Sequence, residues 1–361
     1  MCEDNLNRQK EMENAKTIPV EEAVGMVLAH DITEIRTEFK GRAFRKGHII
    51  RDEDISHLQR LGKENLFVLD LKEGEMHEDD AARALAKALM GKGVQIEAEP
   101  HEGKINIIAA MDGLLRINVP ALTEFNVLGE VMCATLHTNT VVKKGQLIAA
   151  TRAIPLVVRK SVIAGACRIA EQAGGLVEVR AVRKPKTGVV ITGNEVYYGR
   201  IKDAFAPVIT KKIKAFDGEI VGIYYAPDNE SFIEARLREL ISAGADLLIT
   251  TGGMSVDPDD VTRTAIRNLA SGSEVTYGSA ALPGSMFLAA HFDTGEDGRE
   301  KIPILGIPAC GMYNKTTVFD LVLPRVLSGE HIGRKELASL GHGGLCLQCE
   351  VCRYPVCPFG K

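Results

Sequence analysis

The chain has no tryptophan, and none of its apolar runs approaches the roughly 20 residues that a membrane-spanning helix needs. It also lacks a basic block, and its formal net charge is −4 at pH 7. Binding to nucleic acid needs a concentrated basic face, so we expect neither a nucleic-acid partner nor a membrane. Residues 1–16 are polar and charged, without the apolar stretch of a signal segment. We interpret them as a polar leader of a cytoplasmic protein.

The eight cysteines are unevenly distributed along the chain. Four are scattered, at Cys2, Cys133, Cys167 and Cys310. The other four lie close together near the end, at Cys346, Cys349, Cys352 and Cys357. In a reducing compartment such a group indicates a metal site rather than a set of disulfides.

A length of 361 residues exceeds what one hydrophobic core usually organises, so we expect several domains. Residues 17–103 mix short strands and helices, including a helix over 79–90 capped by Asp79 or Asp80. Residues 104–182 are rich in predicted strands and end in a helix. We therefore predict a β-rich α+β N-terminal region, and we place a Cys-rich metal-binding tail at residues 331–361.

Residues 186–330 have a different pattern. Short apolar strands such as 188–192 (GVVIT) and 246–250 (DLLIT) alternate with amphipathic helices predicted at 207–216, 230–243 and 260–269. This alternation predicts a three-layer αβα domain with a mostly parallel sheet covered on both faces. Ligands of such sheets bind beyond the carboxyl ends of the strands.

Three predicted strand ends carry glycine-rich or polar loops. They are Thr192-Gly193-Asn194-Glu195, Thr250-Thr251-Gly252-Gly253-Met254-Ser255 and Gly306-Ile307-Pro308-Ala309. Glycine lets the backbone approach a ligand closely, and N–H groups at a helix start bind anionic oxygens. For any one of these loops alone, an ordinary turn between strand and helix is the favoured interpretation. Because three consecutive strands end in this way, the pattern favours a site for a phosphorylated small molecule.

Acidic residues follow two of the predicted strands. Asp228 precedes a predicted helix and is either the cap of that helix or part of the site. Asp257, Asp259 and Asp260 follow the second glycine loop, and one of them is expected to cap the next helix. A carboxylate beside a bound phosphate is repelled unless a divalent cation lies between them, and Mg²⁺ is the usual cation.

Several segments together resemble the molybdopterin-binding domain of molybdenum-cofactor biosynthesis proteins. They are Gly193-Asn194-Glu195-Val196, Gly199-Arg200-Ile201-Lys202-Asp203, Pro227-Asp228, Thr251-Gly252-Gly253-Met254-Ser255-Val256, Asp260-Val261-Thr262, Pro283-Gly284 and Gly306-Ile307-Pro308-Ala309. The likeness covers about residues 186–327, in order and at plausible spacing. The chain departs from the family at Ala204 and Phe205, where the family has serine and asparagine, and after Ala309.

The resemblance implies binding of molybdopterin, in particular of its adenylylated form, with Mg²⁺ and molybdate as further reactants. It assigns ligand contacts to Thr192, Gly193, Glu195, Asp203, Thr251, Gly252, Gly253, Ser255, Pro283, Gly284 and Pro308. By the same likeness Asp260 and Asp228 would be catalytic, with Asp260 binding the Mg²⁺ that polarises the phosphoanhydride. The family likeness also implies a homodimer.

The N-terminal region resembles the longer members of that family only in pieces. Residues 44–62 are similar to their small β domain, and Met111-Asp112-Gly113 is similar to one of their motifs. Since Leu114 follows and the pieces occur in the reverse order, we interpret Asp112 as an ordinary turn residue in preference to a site residue.

The tail reads Cys346-x2-Cys349-x2-Cys352-x4-Cys357-Pro358. It resembles the bacterial ferredoxin run, with four rather than three residues before the last cysteine. Such a run is able to hold an iron–sulfur cluster or one Zn²⁺ ion, and the spacing leans to the cluster. His342 is an alternative ligand, and Gly341 to Gly344 read as a flexible hinge.

Three functions are compatible with these features. The first is a molybdopterin molybdotransferase that inserts molybdate. The second is a non-catalytic molybdopterin carrier or regulator whose tail senses metal or delivers it to a client molybdoenzyme. The third is a hydrolase of nucleotide phosphates built on the same domain, as in some competence-related proteins.

Overall fold

The computed structural model describes residues 15–36, 39–69, 71–101, 103–254, 261–270, 274–293 and 301–361. The chain divides into two compact units. The first comprises the described parts of Met1–Met111, Ile117–Leu136 and Lys144–Val179, and the second those of Asp112–Arg116, His137–Lys143 and Arg180–Lys361. The division of the chain into five functional segments stays a prediction.

Strands occur in both units. In chain order they are β1 (Ala15–Pro19), β2 (Val27–Leu28), β3 (Ile32–Arg36), β4 (Phe39–Phe44), β5 (Asn65–Leu69), β6 (Glu75–His77), β7 (Val94–Ile96), β8 (Lys104–Ala109), β9 (Gly113–Ile117), β10 (Val131–Thr135), β11 (Val141–Val142), β12 (Leu147–Ala153), β13 (Val157–Arg159), β14 (Val177–Arg180), β15 (Lys186–Thr192), β16 (Glu219–Ala226), β17 (Leu247–Thr251), β18 (Thr276–Tyr277), β19 (Leu288–Phe292) and β20 (Ile302–Ile307).

Helices also occur in both units, and Val20–Glu22 form a 3₁₀ turn. They are α1 (Asp52–Arg60), α2 (Glu78–Leu89), α3 (Val119–Val127), α4 (Lys160–Gln172), α5 (Asn194–Tyr197), α6 (Phe205–Lys214), α7 (Glu230–Ser242), α8 (Thr262–Leu269), α9 (Cys310–Tyr313), α10 (Val318–Leu327) and α11 (Arg334–Ser339).

The first unit is built from small antiparallel sheets and helices, as the sequence predicts. β5 lies between β1 and β2, and β12 and β8 form the centre of a four-stranded sheet with β10 and β7 at its edges. Helix α2 buries Ala82 and Ala86 against Ile105 of β8. The predicted cap of this helix is wrong, because the Nδ1 atom of His77 accepts the N–H of Asp79 at 3.2 Å.

A six-stranded sheet forms the centre of the second unit, in the order β16-β15-β17-β20-β19-β18. β16, β15, β17 and β20 pair in parallel. β19 pairs antiparallel with both of its neighbours, β20 and β18. The four parallel strands therefore end at the same edge of the sheet. That edge is where the glycine-rich loops follow β15 and β17.

Helices cover both faces of this sheet. Val189 and Ile191 of β15 pack with Ile209 of α6 and Val322 of α10 in one core. On the other face Val190 packs in a second core with residues of α7 and α8. Successive strand residues point to opposite faces, and apolar residues at consecutive positions thus build two cores. The predicted three-layer αβα domain with a mostly parallel sheet is confirmed.

Helix α6 begins two residues before the predicted position 207. Asp203 explains this start, since its Oδ1 and Oδ2 atoms accept the N–H groups of Phe205 and Ala206 at 2.7 and 3.1 Å. Pro207 then falls in the first turn, where a missing N–H costs no intrahelical bond.

Candidate functional site

One cavity of about 700 Å³ lies where the loops after the parallel strands meet. We call it the ligand cavity. Its walls include Thr192, Glu195, Lys202, Asp203, Gly252, Gly253, Pro283, Gly284, Pro308, Cys310, Asn314 and Cys346. The structure therefore brings together most of the residues that the sequence singles out. The described residues Gly193, Thr251 and Asp228 do not line the ligand cavity. Ser255 and Asp260 lie outside the described part of the chain.

The glycines after β17 are required by close packing of the backbone. Gly252 has φ +79°, and a Cβ atom there would lie 2.3 Å from the carbonyl oxygen of Thr192. Gly253 has φ +55°, and its Cβ would lie 2.3 Å from the hydroxyl oxygen of Thr262. Other residues would be both strained and obstructed at these positions. The loop after β17 is thus pressed against the end of β15 and the start of α8.

Thr192 fastens these elements together. Its buried hydroxyl donates to the carbonyl oxygen of Thr251 at 2.8 Å and lies 2.9 Å from the hydroxyl of Thr262. The hydroxyl of Thr251 is itself buried and has no hydrogen-bond partner among the described residues. The Thr192 hydroxyl is thus engaged in joining β15, β17 and α8. Its predicted contact with a ligand stays a prediction.

Two carboxylates, Glu195 and Asp203, line the described walls of the ligand cavity. Asp203 is occupied by the N–H groups that start α6, and the hydroxyl of Tyr225 also donates to it at 3.3 Å. Burial and then the charge of Asp203 raise the pKa of Tyr225 above its usual value. Glu195 is exposed on the short helix α5. Of the two, Glu195 is the carboxylate left to meet a ligand.

Lys202 is the one basic residue along the described walls of the ligand cavity. It stands between Ile201 and Asp203 in the loop before α6 and is exposed. The sequence motif Gly199-Arg200-Ile201-Lys202-Asp203 contains Lys202 but does not by itself indicate a role for it. The signal was its position beside Asp203, because a single cation next to glycine-rich loops suits an anionic ligand.

Asp228 lies outside the ligand cavity, and its interpretation as the cap of α7 is wrong. The cap is Asn229, whose side-chain oxygen accepts the N–H of Phe232 at 2.9 Å. The Asp228 carboxylate instead accepts the N–H of Asn194 at 3.0 Å. Its own N–H donates to the side-chain oxygen of Asn194 at 3.3 Å. Asp228 therefore holds the turn that leads to Glu195.

Part of the tail forms a wall of the ligand cavity, which the sequence does not reveal. The N–H of Leu282 donates to the carbonyl of Gly344 at 2.7 Å, and the N–H of Cys346 donates to the carbonyl of Leu282 at 2.8 Å. This ladder brings Leu345, Cys346 and Gln348 to the cavity beside Pro283. The structure thus ties residues 341–344, predicted as a hinge, to the body of the unit.

A second cavity of about 520 Å³ adjoins the first, and we call it the tail cavity. Cys346, Cys349, Cys352 and Cys357 all line it, and Cys346 lines the ligand cavity as well. Within the described residues, no three His, Cys, Asp or Glu side chains converge closely enough to hold a single metal ion. His342 is exposed and lines neither cavity.

Among the described helices, none combines the length and the apolar character needed to cross a bilayer.

Residues 188–328 match the family model described as a probable molybdopterin binding domain. This match confirms the resemblance found in the sequence over about residues 186–327. Residues 17–70 match a domain of unknown function.

Individual relatives share parts of the chain. A CinA-like protein from Mycobacterium avium is 39% identical over 77 residues, which are 21% of this chain and 18% of the relative. The CinA-like protein of Mycobacterium tuberculosis is 38% identical over the same length. The chain thus spans under a fifth of the length of the curated relatives it matches.

Some solved structures are similar to parts of this chain. The tungsten cofactor synthesizing protein MoaB from Pyrococcus furiosus is 19% identical, with a TM-score of 0.34, over 41% of this chain and 98% of that one. The molybdopterin biosynthesis MoeA protein from Pyrococcus horikosii is 15% identical, with a TM-score of 0.31, over 90% of this chain and 78% of that one.

Proposed function

We propose that the protein binds molybdopterin in the ligand cavity and acts in the biosynthesis of the molybdenum cofactor. One observation carries this proposal: segments within the matched domain, distant in sequence, form one cavity at the carboxyl ends of the parallel strands. Its volume of about 700 Å³ falls within the range of small-molecule sites, roughly 300–1,000 Å³.

The walls of the cavity have the chemistry that a pterin needs. Flat pterin rings pack against apolar side chains, and Met286 and Met312 supply such surface. The pyrimidinone edge of a pterin carries adjacent N–H donors, which pair with the two oxygens of a carboxylate. Glu195 offers that carboxylate, because both oxygens of Asp203 already accept hydrogen bonds at the start of α6.

We propose that Lys202, Gly252 and Gly253 of the cavity lining contact the phosphate of the ligand. The ammonium group of Lys202 supplies the opposite charge, and the glycine loop lets oxygens approach the backbone.

A finer proposal is that the protein is a molybdotransferase, which cleaves adenylylated molybdopterin and inserts molybdate with the help of Mg²⁺. The described residues do not by themselves fit the ion, because Asp228 faces the N–H of Asn194 and no three suitable side chains converge. The Mg²⁺ site would depend on Asp260. We therefore derive no chemical step through Mg²⁺ from the described geometry.

The carrier or regulator is the second candidate, and two observations favour it. Asp228, expected to be catalytic, is engaged in holding a turn rather than in lining the cavity. Phe205, which replaces an amide of the family pattern, is buried in the core beside Ile209. The engagement of Asp228 and the replacement at Phe205 leave fewer polar groups free to act on a phosphoanhydride.

Turnover separates the two candidates. The full chain is incubated with adenylylated molybdopterin, molybdate and Mg²⁺, and released AMP and pterin-bound molybdenum are measured. A molybdotransferase releases AMP, loses that activity in Asp260→Ala and keeps it in the matched surface variant Asp217→Ala. Binding without AMP release selects the carrier. Failure of the full chain to bind molybdopterin in either form overturns both.

We further propose a homodimer in the cytoplasm and a client molybdoenzyme that receives the ligand. The mass of the full chain in sedimentation tests whether it is a dimer. Activation of a cofactor-free molybdoenzyme by the loaded protein measures the second. A monomer at micromolar concentration would contradict the dimer without affecting the assignment of the ligand.

A further inference from the structure

The four tail cysteines surround one space although they are separated in sequence. Cys346, Cys349, Cys352 and Cys357 all line the tail cavity, and their thiols are free. The other scattered cysteines of the described chain do not line it. The structure therefore gathers the whole Cys-x2-Cys-x2-Cys-x4-Cys run around a single volume of about 520 Å³.

The segment that carries these cysteines is held at both ends. At its start the N–H of Cys346 donates to the carbonyl of Leu282 at 2.8 Å. Near its end the N–H of Gly360 donates to the carbonyl of Gly343 at 2.9 Å, and Phe359 is buried. In between, the hydroxyl of Tyr354 donates to the carbonyl of Asp320 at 3.2 Å. The segment that carries the cysteines is thus fixed to the second unit at several points.

The arrangement of the tail cysteines suits a cluster better than a single ion. With Zn–S bonds of about 2.3 Å, tetrahedral geometry would bring the four sulfurs to within roughly 3.8 Å of one another. In the described chain no three potential ligands converge in this way. A four-iron cluster instead binds each thiolate at a different iron, so its ligands stand apart around a filled space.

Hydrogen-bond donors already point at the sulfurs. The hydroxyl of Thr316 lies 3.3 Å from the Sγ atom of Cys352, and the N–H of Gln348 donates to the Sγ atom of Cys346 at 3.5 Å. Such donors stabilise thiolates and the anionic clusters that thiolates bind.

The charge of the tail cavity is also suited to an anionic group. Lys315 and Arg353 line it, and no Asp or Glu does so among the described residues. A cluster with four thiolate ligands carries net negative charge, which two neighbouring cations offset. Cys349 and Cys352 are exposed, so iron and sulfide have access to the site.

We propose that Cys346, Cys349, Cys352 and Cys357 bind one four-iron iron–sulfur cluster in the tail cavity. The assignment does not depend on the identity of the ligand in the neighbouring cavity. A consequence does rest on the proposed function: because Cys346 and Gln348 belong to both walls, the cluster fixes one side of the molybdopterin site.

The test uses the full chain, purified without oxygen and reconstituted with ferric iron, sulfide and dithiothreitol, which supplies the electrons that reduce part of the iron. We expect broad visible absorbance that bleaches on reduction with dithionite, and about four irons and four sulfides per chain. The double variant Cys349→Ser/Cys352→Ser should retain less than a quarter of that iron. The matched variant Cys167→Ser, on α4 of the first unit, should retain all of it.

Circular dichroism establishes that the double variant is folded, and the exposure of both cysteines makes serine tolerable there. Bound zinc with no iron after reconstitution would overturn the proposal, as would iron that persists in the double variant. Neither result bears on molybdopterin binding, which is measured separately. Conversely, a protein that holds the cluster but binds no pterin would leave this proposal intact and sink the proposed function.

Discussion

Asp228 and Asn194 bond to each other through both backbone and side chain. The carboxylate of Asp228 accepts the N–H of Asn194 at 3.0 Å, and the N–H of Asp228 donates to the side-chain oxygen of Asn194 at 3.3 Å. Asn194 follows β15 and Asp228 follows β16, so the pair joins the ends of two neighbouring strands. Glu195, the carboxylate left to meet a ligand, comes directly after this junction. The bonds between Asp228 and Asn194 therefore fix the position of Glu195.

Replacement of Asp228 by alanine should weaken molybdopterin binding through the position of Glu195. We expect a stability loss of about 1–3 kcal/mol from the lost hydrogen bonds, and at least a threefold loss of affinity. The matched control is Asn229→Ala, which removes the cap of α7 and should cost about 1 kcal/mol with affinity unchanged. Urea unfolding and equilibrium titration measure the two effects. Equal affinities of the two variants would contradict the positioning role.

The Thr192 hydroxyl should contribute to stability because it joins three elements. Thr192→Val removes its bonds to the carbonyl of Thr251 and the hydroxyl of Thr262, and we expect a loss of about 1–3 kcal/mol. Thr187 lies on the same strand and is also buried, but its hydroxyl has no partner among the described residues. Thr187→Val should therefore be neutral or stabilising. The free energies of unfolding of the two variants should differ, and equal values would rule out this account.

His291 should make the protein sensitive to acid. Burial first, and then the charges of His331 and Lys301, lower the pKa of His291 from 6.5 to about 4, whereas Glu274 acts in the opposite direction. Its ring lies 4.2 Å from that of His331. The folded state thus binds its proton less readily than the unfolded state. The contribution of His291 to stability is complete above pH 6.5 and is lost as the pH falls towards 4.

The measurement is urea unfolding at several pH values between 7 and about 4.5 for the wild type and His291→Gln. The stability of the wild type should fall more steeply with acid, since glutamine does not titrate. Parallel curves would show that His291 titrates alike in the folded and unfolded states.

Lys202 should supply attraction to the phosphate of the ligand. Lys202→Gln removes a charge-assisted contact, and for this exposed residue we expect roughly a tenfold loss of affinity for molybdopterin. Lys211→Gln, on α6 and outside the cavity walls, should bind as the wild type does. Raising the salt concentration should narrow the difference between the two variants, because salt screens exposed charges. An unchanged affinity of Lys202→Gln for molybdopterin would show that Lys202 does not contact the phosphate.

The sequence was sufficient for the sheet and for the edge at which the glycine-rich loops lie. Apolar runs such as 188–192 point residues to both faces, and such a run indicates a strand covered on each side. Glycines after β17 marked where the backbone comes close, and Gly252 indeed packs against Thr192. These features are local, so a local pattern reveals them.

Long-range pairings were beyond such patterns. The contribution of Cys346 to the ligand cavity depends on its bond to Leu282, which no spacing in the tail indicates. Asp228 sits where a helix cap is expected, but Asn229 takes that role and frees Asp228 for Asn194. In both cases the sequence showed the chemical group, and the tertiary structure chose its partner.

Blocking the ligand cavity tests whether molybdopterin binds there. Ala309 is exposed on the cavity wall, and Ala309→Trp should fill the space without disturbing a core. Ala243, which follows α7 and is also exposed, gives the matched control Ala243→Trp. In an equilibrium titration followed by pterin fluorescence, the wild type and Ala243→Trp should bind molybdopterin alike, whereas Ala309→Trp should bind at least tenfold more weakly. Equal binding by the two tryptophan variants, or no binding by the wild type, would contradict the account.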